Sequence, residues 1–202
     1  LKSELIAGPA GALEILCEHP DAEPSAVAVI CHPHPLHGGS LSNKIVHQLA
    51  RTFGELGALS LRFNFRGVGR SEGVYDGGRG ELDDLLAVVS WADERWPALP
   101  LWLGGFSFGG IIAVRGAQLL QPQRLVTVAP AVNYFSPQAV ALAATDWLVI
   151  QGDADDVVPA VEVRHWLERA DPRPSLAILE GAGHFLHGRL NELRQVIVDA
   201  YS

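Results

Sequence analysis

Leu101-Trp102-Leu103-Gly104-Gly105-Phe106-Ser107-Phe108-Gly109-Gly110-Ile111-Ile112-Ala113-Val114-Arg115 is the stretch on which the reading of this chain turns. An apolar run suited to a strand gives way at Ser107 to a helix-like run, with a glycine two residues from the serine on either side. Glycines let neighbouring backbone approach with no Cβ in the way. The serine can therefore occupy the tip of a tight strand-to-helix turn with its hydroxyl exposed. The helix that follows points its first N–H groups and positive dipole end to where negative charge develops during acyl transfer. The pentapeptide alone occurs by chance, so its weight comes from the strand before it, the helix after it and suitable partners further on.

Short apolar runs alternate with helical patterns along the rest of the chain. Strands are expected at Leu13 to Cys17, Ala26 to Cys31, Ala58 to Asn64, Leu101 to Phe106, Leu125 to Ala129, Trp147 to Gln151 and Leu176 to Leu179. Helices are expected at Asn43 to Leu56, Glu81 to Trp96, Phe108 to Leu120, Ala160 to Arg169 and Leu190 to Tyr201. The alternation is the α/β signature, and strands this apolar suit a mostly parallel central sheet with helices on both faces. The start, Leu5-Ile6, Gly8-Pro9-Ala10-Gly11 and Leu13-Glu14-Ile15-Leu16, reads as an antiparallel hairpin leading into that sheet. A length of 202 residues with 48% hydrophobic and 19% charged content fits one domain over 1–202.

A formal charge of −8 with no basic stripe argues against nucleic acid or an anionic membrane as partner. Cys17 and Cys31 lie inside apolar strand-like runs, as small buried hydrophobes would, and suit a reducing compartment. The start carries no apolar stretch of signal-peptide length and no run approaches a membrane span, so a cytoplasmic location is expected.

A serine hydroxyl is a poor nucleophile at neutral pH and needs a histidine to take its proton and a carboxylate to orient that histidine. Three histidines follow Ser107. His165 sits in a helical stretch and suits a surface or packing role. His184, in Gly181-Ala182-Gly183-His184-Phe185 after a strand, is the candidate base, with His187 as its competitor. The loop Gly152-Asp153-Ala154-Asp155-Asp156-Val157-Val158-Pro159 offers three carboxylates. Asp153 and Asp156 are suited to capping backbone N–H groups, and Asp155 at the crest of the turn is the choice for the acid.

Gly105 to Gly109, Gly152 to Pro159 and Gly183-His184 together resemble the α/β-hydrolase superfamily over nearly the whole chain. In similar esterases and thioesterases the acid is the third residue after the glycine of Gly-x-x-Asp-x-x-Val-Pro, which here is Asp155. Arg66-Gly67-Val68-Gly69-Arg70-Ser71 matches the superfamily's Arg-Gly-x-Gly-x-Ser turn. That turn is no dinucleotide fingerprint: its third glycine, Gly73, comes one position too late and no helix opens directly after it.

The resemblance also places an oxyanion loop at His32-Pro33-His34-Pro35-Leu36-His37-Gly38-Gly39, after the Ala26 to Cys31 strand. It implies the backbone N–H groups of Phe108 and His34 as oxyanion donors, with Leu36 N–H as the alternative, because proline has no N–H to give. The loop resembles a compact bacterial group of cap-less hydrolases carrying His-Pro-His-Pro with a following Gly-Gly. His32, His34 and His37 also invite a metal-dependent reading, but proline-locked extended geometry points alternate side chains apart. No cofactor or metal is expected.

Only seventeen residues run from Pro130 to Asp146, too few for a cap domain. Expected pocket walls are Leu36, His37, Asn64, Tyr134 and Phe135. Arg62, Arg66, Arg70 and Arg79, answered by Glu72, Asp76, Glu81, Asp83 and Asp84, read as a solvated ion-pair network, with Arg66 the one residue near enough to a strand end to touch substrate. The expectation is a serine hydrolase acting on a small-molecule ester or thioester of modest acyl size. The alternatives are a catalytically silent protein of the same fold and a metal-dependent hydrolase.

Overall fold

The computed structural model describes residues 2–135 and 140–202. Its main sheet has eight strands in the order β1 (Glu4–Gly8), β2 (Gly11–Glu18), β4 (Ala58–Phe63), β3 (Ala26–Cys31), β5 (Leu101–Phe106), β6 (Arg124–Val128), β8 (Asp146–Gly152) and β10 (Ser175–Leu179). The β1–β2 hairpin joins antiparallel to β4, and all the other pairings in this sheet are parallel.

The continuous apolar runs are explained by burial on both sheet faces, because successive side chains of a strand point opposite ways. From β3, Ala26, Ala28 and Ile30 join one core with Ile45, Leu49 and Phe53 of α1 (Lys44–Glu55) and Leu193 and Ile197 of α6 (Leu190–Tyr201). Val27, Val29 and Cys31 face the other core. It is closed by α2 (Arg79–Arg95), α3 (Phe108–Leu120) and α5 (Ala160–Leu167) through residues such as Leu85, Ile111 and Trp166. Cys31 is buried and Cys17 half-buried, both as free thiols.

The expected elements are present with ends shifted by no more than two residues. The additions are short: a 3-10 turn at Pro35–His37, α4 (Val132–Phe135), and a two-residue pairing of β7 (Val140–Ala141) with β9 (Ala170–Asp171). Segments this short have no periodicity for a sequence to display. Between Pro130 and Asp146 the described residues form only α4 and β7, and among the described residues no cap domain covers the sheet edge. Among the described residues no helix is long and apolar enough to cross a membrane.

The chain enters the parallel sheet at β3, adds β4 on one side, and then crosses to β5 on the other. The loops after β3 and β5 therefore part company at their C-terminal ends, and the crevice between them is where an open α/β sheet binds ligands. The turn after β4 closes one side. Fully buried Asp84 of α2 accepts hydrogen bonds from Arg66 N (2.9 Å) and from the Arg66 guanidinium at Nη2 (2.8 Å) and Nε. Arg66, read as an ion-pair residue with substrate in reach, is spent on this pair. Asp84→Ala should lower unfolding stability by about 3–5 kcal/mol in urea titrations, because it leaves a mostly buried guanidinium unpaired.

Candidate active site

Ser107 follows β5 with φ 55° and ψ −118°, a backbone conformation that L residues rarely adopt. Neighbouring contacts impose it. A Cβ on Gly105 would lie 2.2 Å from Gly109 O, and one on Gly109 would lie 2.4 Å from both Cys31 O and His32 O. The start of α3 thus sits against the ends of β5 and β3 in space that only glycine leaves open. Backbone hydrogen bonds complete the turn: Ser107 N–H donates to Val128 O, and Ser107 O accepts from Gly110, Ile111 and Ala131 N–H.

His184 arrives from the loop after β10. Its Nε2 lies 3.1 Å from Ser107 Oγ and its Nδ1 lies 2.8 Å from Asp155 Oδ2. All three residues are buried, with Ser107 still 9% exposed. The loop is turned by Leu186, a buried leucine held at φ 47° whose N–H donates to Gly183 O. The phenyl ring of Phe106 packs 5.1 Å from the imidazole, centroid to centroid.

Asp155 is held at both oxygens. Oδ1 accepts from Val157 N–H (2.9 Å) and Val158 N–H (2.7 Å), while Oδ2 accepts from His184 and from Gln151 Nε2 (3.0 Å). Burial pushes the carboxyl pKa up, but the His184 and backbone hydrogen bonds outweigh it and hold the group below its usual range. An ionised Asp155 accepting from Nδ1–H leaves the Nε2 lone pair facing Ser107 Oγ, the tautomer needed to receive a proton. Gln151 escaped the sequence reading. Its one signal was a polar residue closing the apolar run Trp147 to Ile150, which a strand end equally explains.

The rival residues lie elsewhere. Asp153 Oδ1 accepts from Gly181 N–H, tying the acid loop to the histidine loop as a cap would, and Asp156 is exposed. His165 is exposed beside Glu168. His187 is also exposed, its ring 5.9 Å from that of Phe185.

The loop after β3 is fastened along its length to β4 and the residues just beyond it. His32 Nε2 accepts from Phe65 N–H (3.0 Å), which leaves the proton on Nδ1 to be donated to Pro33 O (2.6 Å). Leu41 is gripped twice: its N–H donates to Asn64 Oδ1 (2.8 Å), and its carbonyl accepts from Arg62 Nη1 (2.8 Å). Arg62 is also paired with Glu18, and Asn64 donates to Glu14 Oε2. Asn64, expected as a pocket wall, is instead a buried staple for this loop, because both ends of its amide are committed.

Between these staples His34 Nδ1 accepts from Leu36 N–H (3.2 Å). That engagement removes Leu36 N–H from the choice of oxyanion donors, and the Leu36 side chain is 68% exposed. The His34 and His37 rings stack 4.4 Å apart, while both nitrogens of the His32 ring are committed elsewhere. The three histidines therefore do not converge, and among the described residues no group of three or more His, Cys, Asp or Glu could hold a metal ion. The basic run is only partly an ion-pair network. Arg66 pairs with Asp84 and Arg79 with Asp76, whereas Glu72 and Glu81 accept from backbone N–H groups of Ala12, Asp76 and Gly78.

A recess of about 190 Å³ opens at Ser107, walled by His34, His37, Phe108, Ala131, Tyr134, Val157 and Val158. His37 and Tyr134 stand where they were expected. Leu36 and Asn64 do not line it, and the Phe135 side chain lies outside the described residues.

An α/β-hydrolase sheet with a serine, histidine and aspartate joined at its C-terminal edge defines the class of the protein. Residues 22–147 match the family described as serine aminopeptidase, S33. The fold closely matches an α/β serine hydrolase homologue from Coxiella burnetii, at 42% identity and a TM-score of 0.94 over 100% of this chain and 97% of that one. It matches equally well an α/β serine hydrolase without a lid from Xanthomonas campestris, at 40% identity and a TM-score of 0.94 over 98% and 92%. An uncharacterized protein of Rickettsia prowazekii is 31% identical over 95% of this chain and 85% of its own length. The chain belongs to this serine hydrolase family of the α/β-hydrolase superfamily.

Burial depresses the His32 pKa to about 4, so the folded protein keeps this ring neutral. Above the ordinary histidine range, near 6.5, folded and unfolded chains are equally unprotonated and nothing is lost. As pH falls from there towards 4 the unfolded chain takes up a proton that the fold refuses, and stability should drop by about 3 kcal/mol. His32→Gln should remove that part of the acid sensitivity. Urea midpoints measured from pH 7 to pH 4 on both proteins check this, and parallel curves would count against it.

Proposed function

We propose that the protein hydrolyses carboxylic esters or thioesters of modest acyl size through Ser107, His184 and Asp155. The observation that carries the reading is the unbroken hydrogen-bonded chain Ser107–His184–Asp155 opening into the recess. Ser107 Oγ attacks the carbonyl carbon while His184 Nε2 takes its proton, and Asp155 stabilises the imidazolium that results. The N–H groups of Phe108 and His34 bind the oxyanion. Collapse of the tetrahedral adduct expels the alcohol or thiol, which receives the proton from His184. Water, deprotonated by the same nitrogen, then releases the acid from the acyl-enzyme.

The recess favours a neutral acyl group over the amino-terminal residue of a peptide. Its walls are imidazole, aromatic and aliphatic, and among the described residues no carboxylate lines it to receive an α-ammonium group. About 190 Å³ accommodates a short aliphatic chain or one ring. A metal-dependent reading finds no support in the committed His32 ring. A silent binding protein would have no use for a buried carboxylate saturated by four donors.

A fluorophosphonate probe should label Ser107, and Ser107→Ala should abolish both the labelling and turnover of short p-nitrophenyl esters. Asp155→Asn should lower kcat about 10⁴-fold by disfavouring the productive tautomer. A folded protein that resists the probe and cleaves no ester would overturn the proposal.

A further inference from the structure

A second cleft of about 470 Å³ lies on the other side of the 3-10 turn from the recess. The turn divides the two: His37 lines the recess and Gly38 the groove. One wall of the groove is Phe185, Leu186 and His187, continuous in sequence with His184, and the Phe185 ring meets the His184 ring edge-on at 5.1 Å. The opposite wall carries Ser40, Ser42, Lys44 and Ile45.

The chemistry of the triad orders the two clefts. The nitrogen that receives the Ser107 proton must return it to the departing oxygen or sulfur, so the leaving group lies towards the histidine loop and the acyl chain away from it. Ala131, Tyr134, Val157 and Val158 border only the recess. Phe185 and its neighbours border only the groove.

We infer that the groove beside Phe185 is the leaving-group subsite and that it receives a polar alcohol or thiol bearing negative charge. The inference rests on the ester or thioester reading above. The buried side chains of Ile45 and Leu186 give the groove an apolar floor, and the Ser40 and Ser42 hydroxyls, 2.9 Å apart, give it a hydrogen-bonding rim. The Asn43 oxygen is already spent on Ile45 and Val46 N–H. In a chain of net charge −8, Lys44 is the one Lys or Arg lining the groove and makes no ion pair among the described residues. Among the described residues no carboxylate lines the groove. The nearby Arg189 and Arg194 are matched by Glu192 and Glu55. The unmatched charge facing a leaving group is therefore positive.

Butyrate esters of 4-nitrophenol and of 3-carboxy-4-nitrophenol share an acyl half and differ by one carboxylate on the leaving group. At low ionic strength the ratio of kcat/KM, charged ester over neutral ester, should fall about fivefold in Lys44→Ala and further in Lys44→Glu, mainly through KM. Added salt at 0.5 M should shrink the difference between proteins. A ratio unchanged by both substitutions overturns the subsite while leaving the hydrolase reading intact. Calorimetric Kd values for the two intact esters on Ser107→Ala protein decide the subsite without turnover. Lys44→Glu in that background should weaken the charged ester selectively, and equal affinities with and without it overturn the inference. If wild-type protein cleaves neither ester, the hydrolase reading fails and the binding comparison still judges the groove.

Discussion

Where α3 begins, its backbone lies so close to the ends of β3 and β5 that a single added carbon at Gly105 or Gly109 would overlap a carbonyl oxygen. The rest of the site is referred to that contact. It holds Ser107 in an unfavourable conformation of a kind that costs of order 1–3 kcal/mol and persists only when surrounding structure over-determines it. Here the determination comes from Val128 on one side and from α3 and Ala131 on the other, all bonded to the Ser107 peptide groups. Because β3 and β5 are neighbours, the same contact brings the loop carrying His34 alongside the serine.

Several of the surrounding polar groups are rigid for a common reason: they are bonded to backbone, across elements for His32, Asn64 and Arg62 and within its own loop for Asp155. His32 bonds Phe65, Asn64 and Arg62 bond Leu41, and Asp155 bonds Val157 and Val158. A group committed this way costs little reorganisation when charge develops nearby, which is the basis of electrostatic preorganisation. Among the described residues no cap domain lies over the sheet edge, and the surroundings of Ser107 are a recess of about 190 Å³ with the exposed rings of Phe185 and Tyr134 nearby.

Much of this is legible in the amino-acid sequence. The strands at Ala26–Cys31 and Leu101–Phe106 and the helices at Phe108–Leu120 and Leu190–Tyr201 fall where the apolar pattern puts them. That pattern follows from burial on both faces of a parallel sheet. Ser107, His184 and Asp155 were found because each sits in a strand-to-helix loop of unusual composition. Asn64 and Leu36 were misjudged for the opposite reason, and for Arg66 the ion-pair reading held while its reach to substrate did not. Their loop positions say that they are near the crevice, but not whether the side chain points into it or back to a partner. The partners, Asp84 and Glu14, lie 18 and 50 residues away in the chain.

Sequence by itself determined the fold class, the layering of helices on both faces and the three residues of the hydrogen-bonded chain, because these depend on local periodicity and on residues whose chemistry has few other uses. Tertiary structure alone decided which way the polar side chains of the crevice turn and where the two clefts divide. A 3-10 turn of three residues separates a recess from a groove, and no periodicity announces it. The glycines at 105 and 109 belong to both descriptions. They are visible as letters, but only the packed sheet shows which carbonyls they make room for.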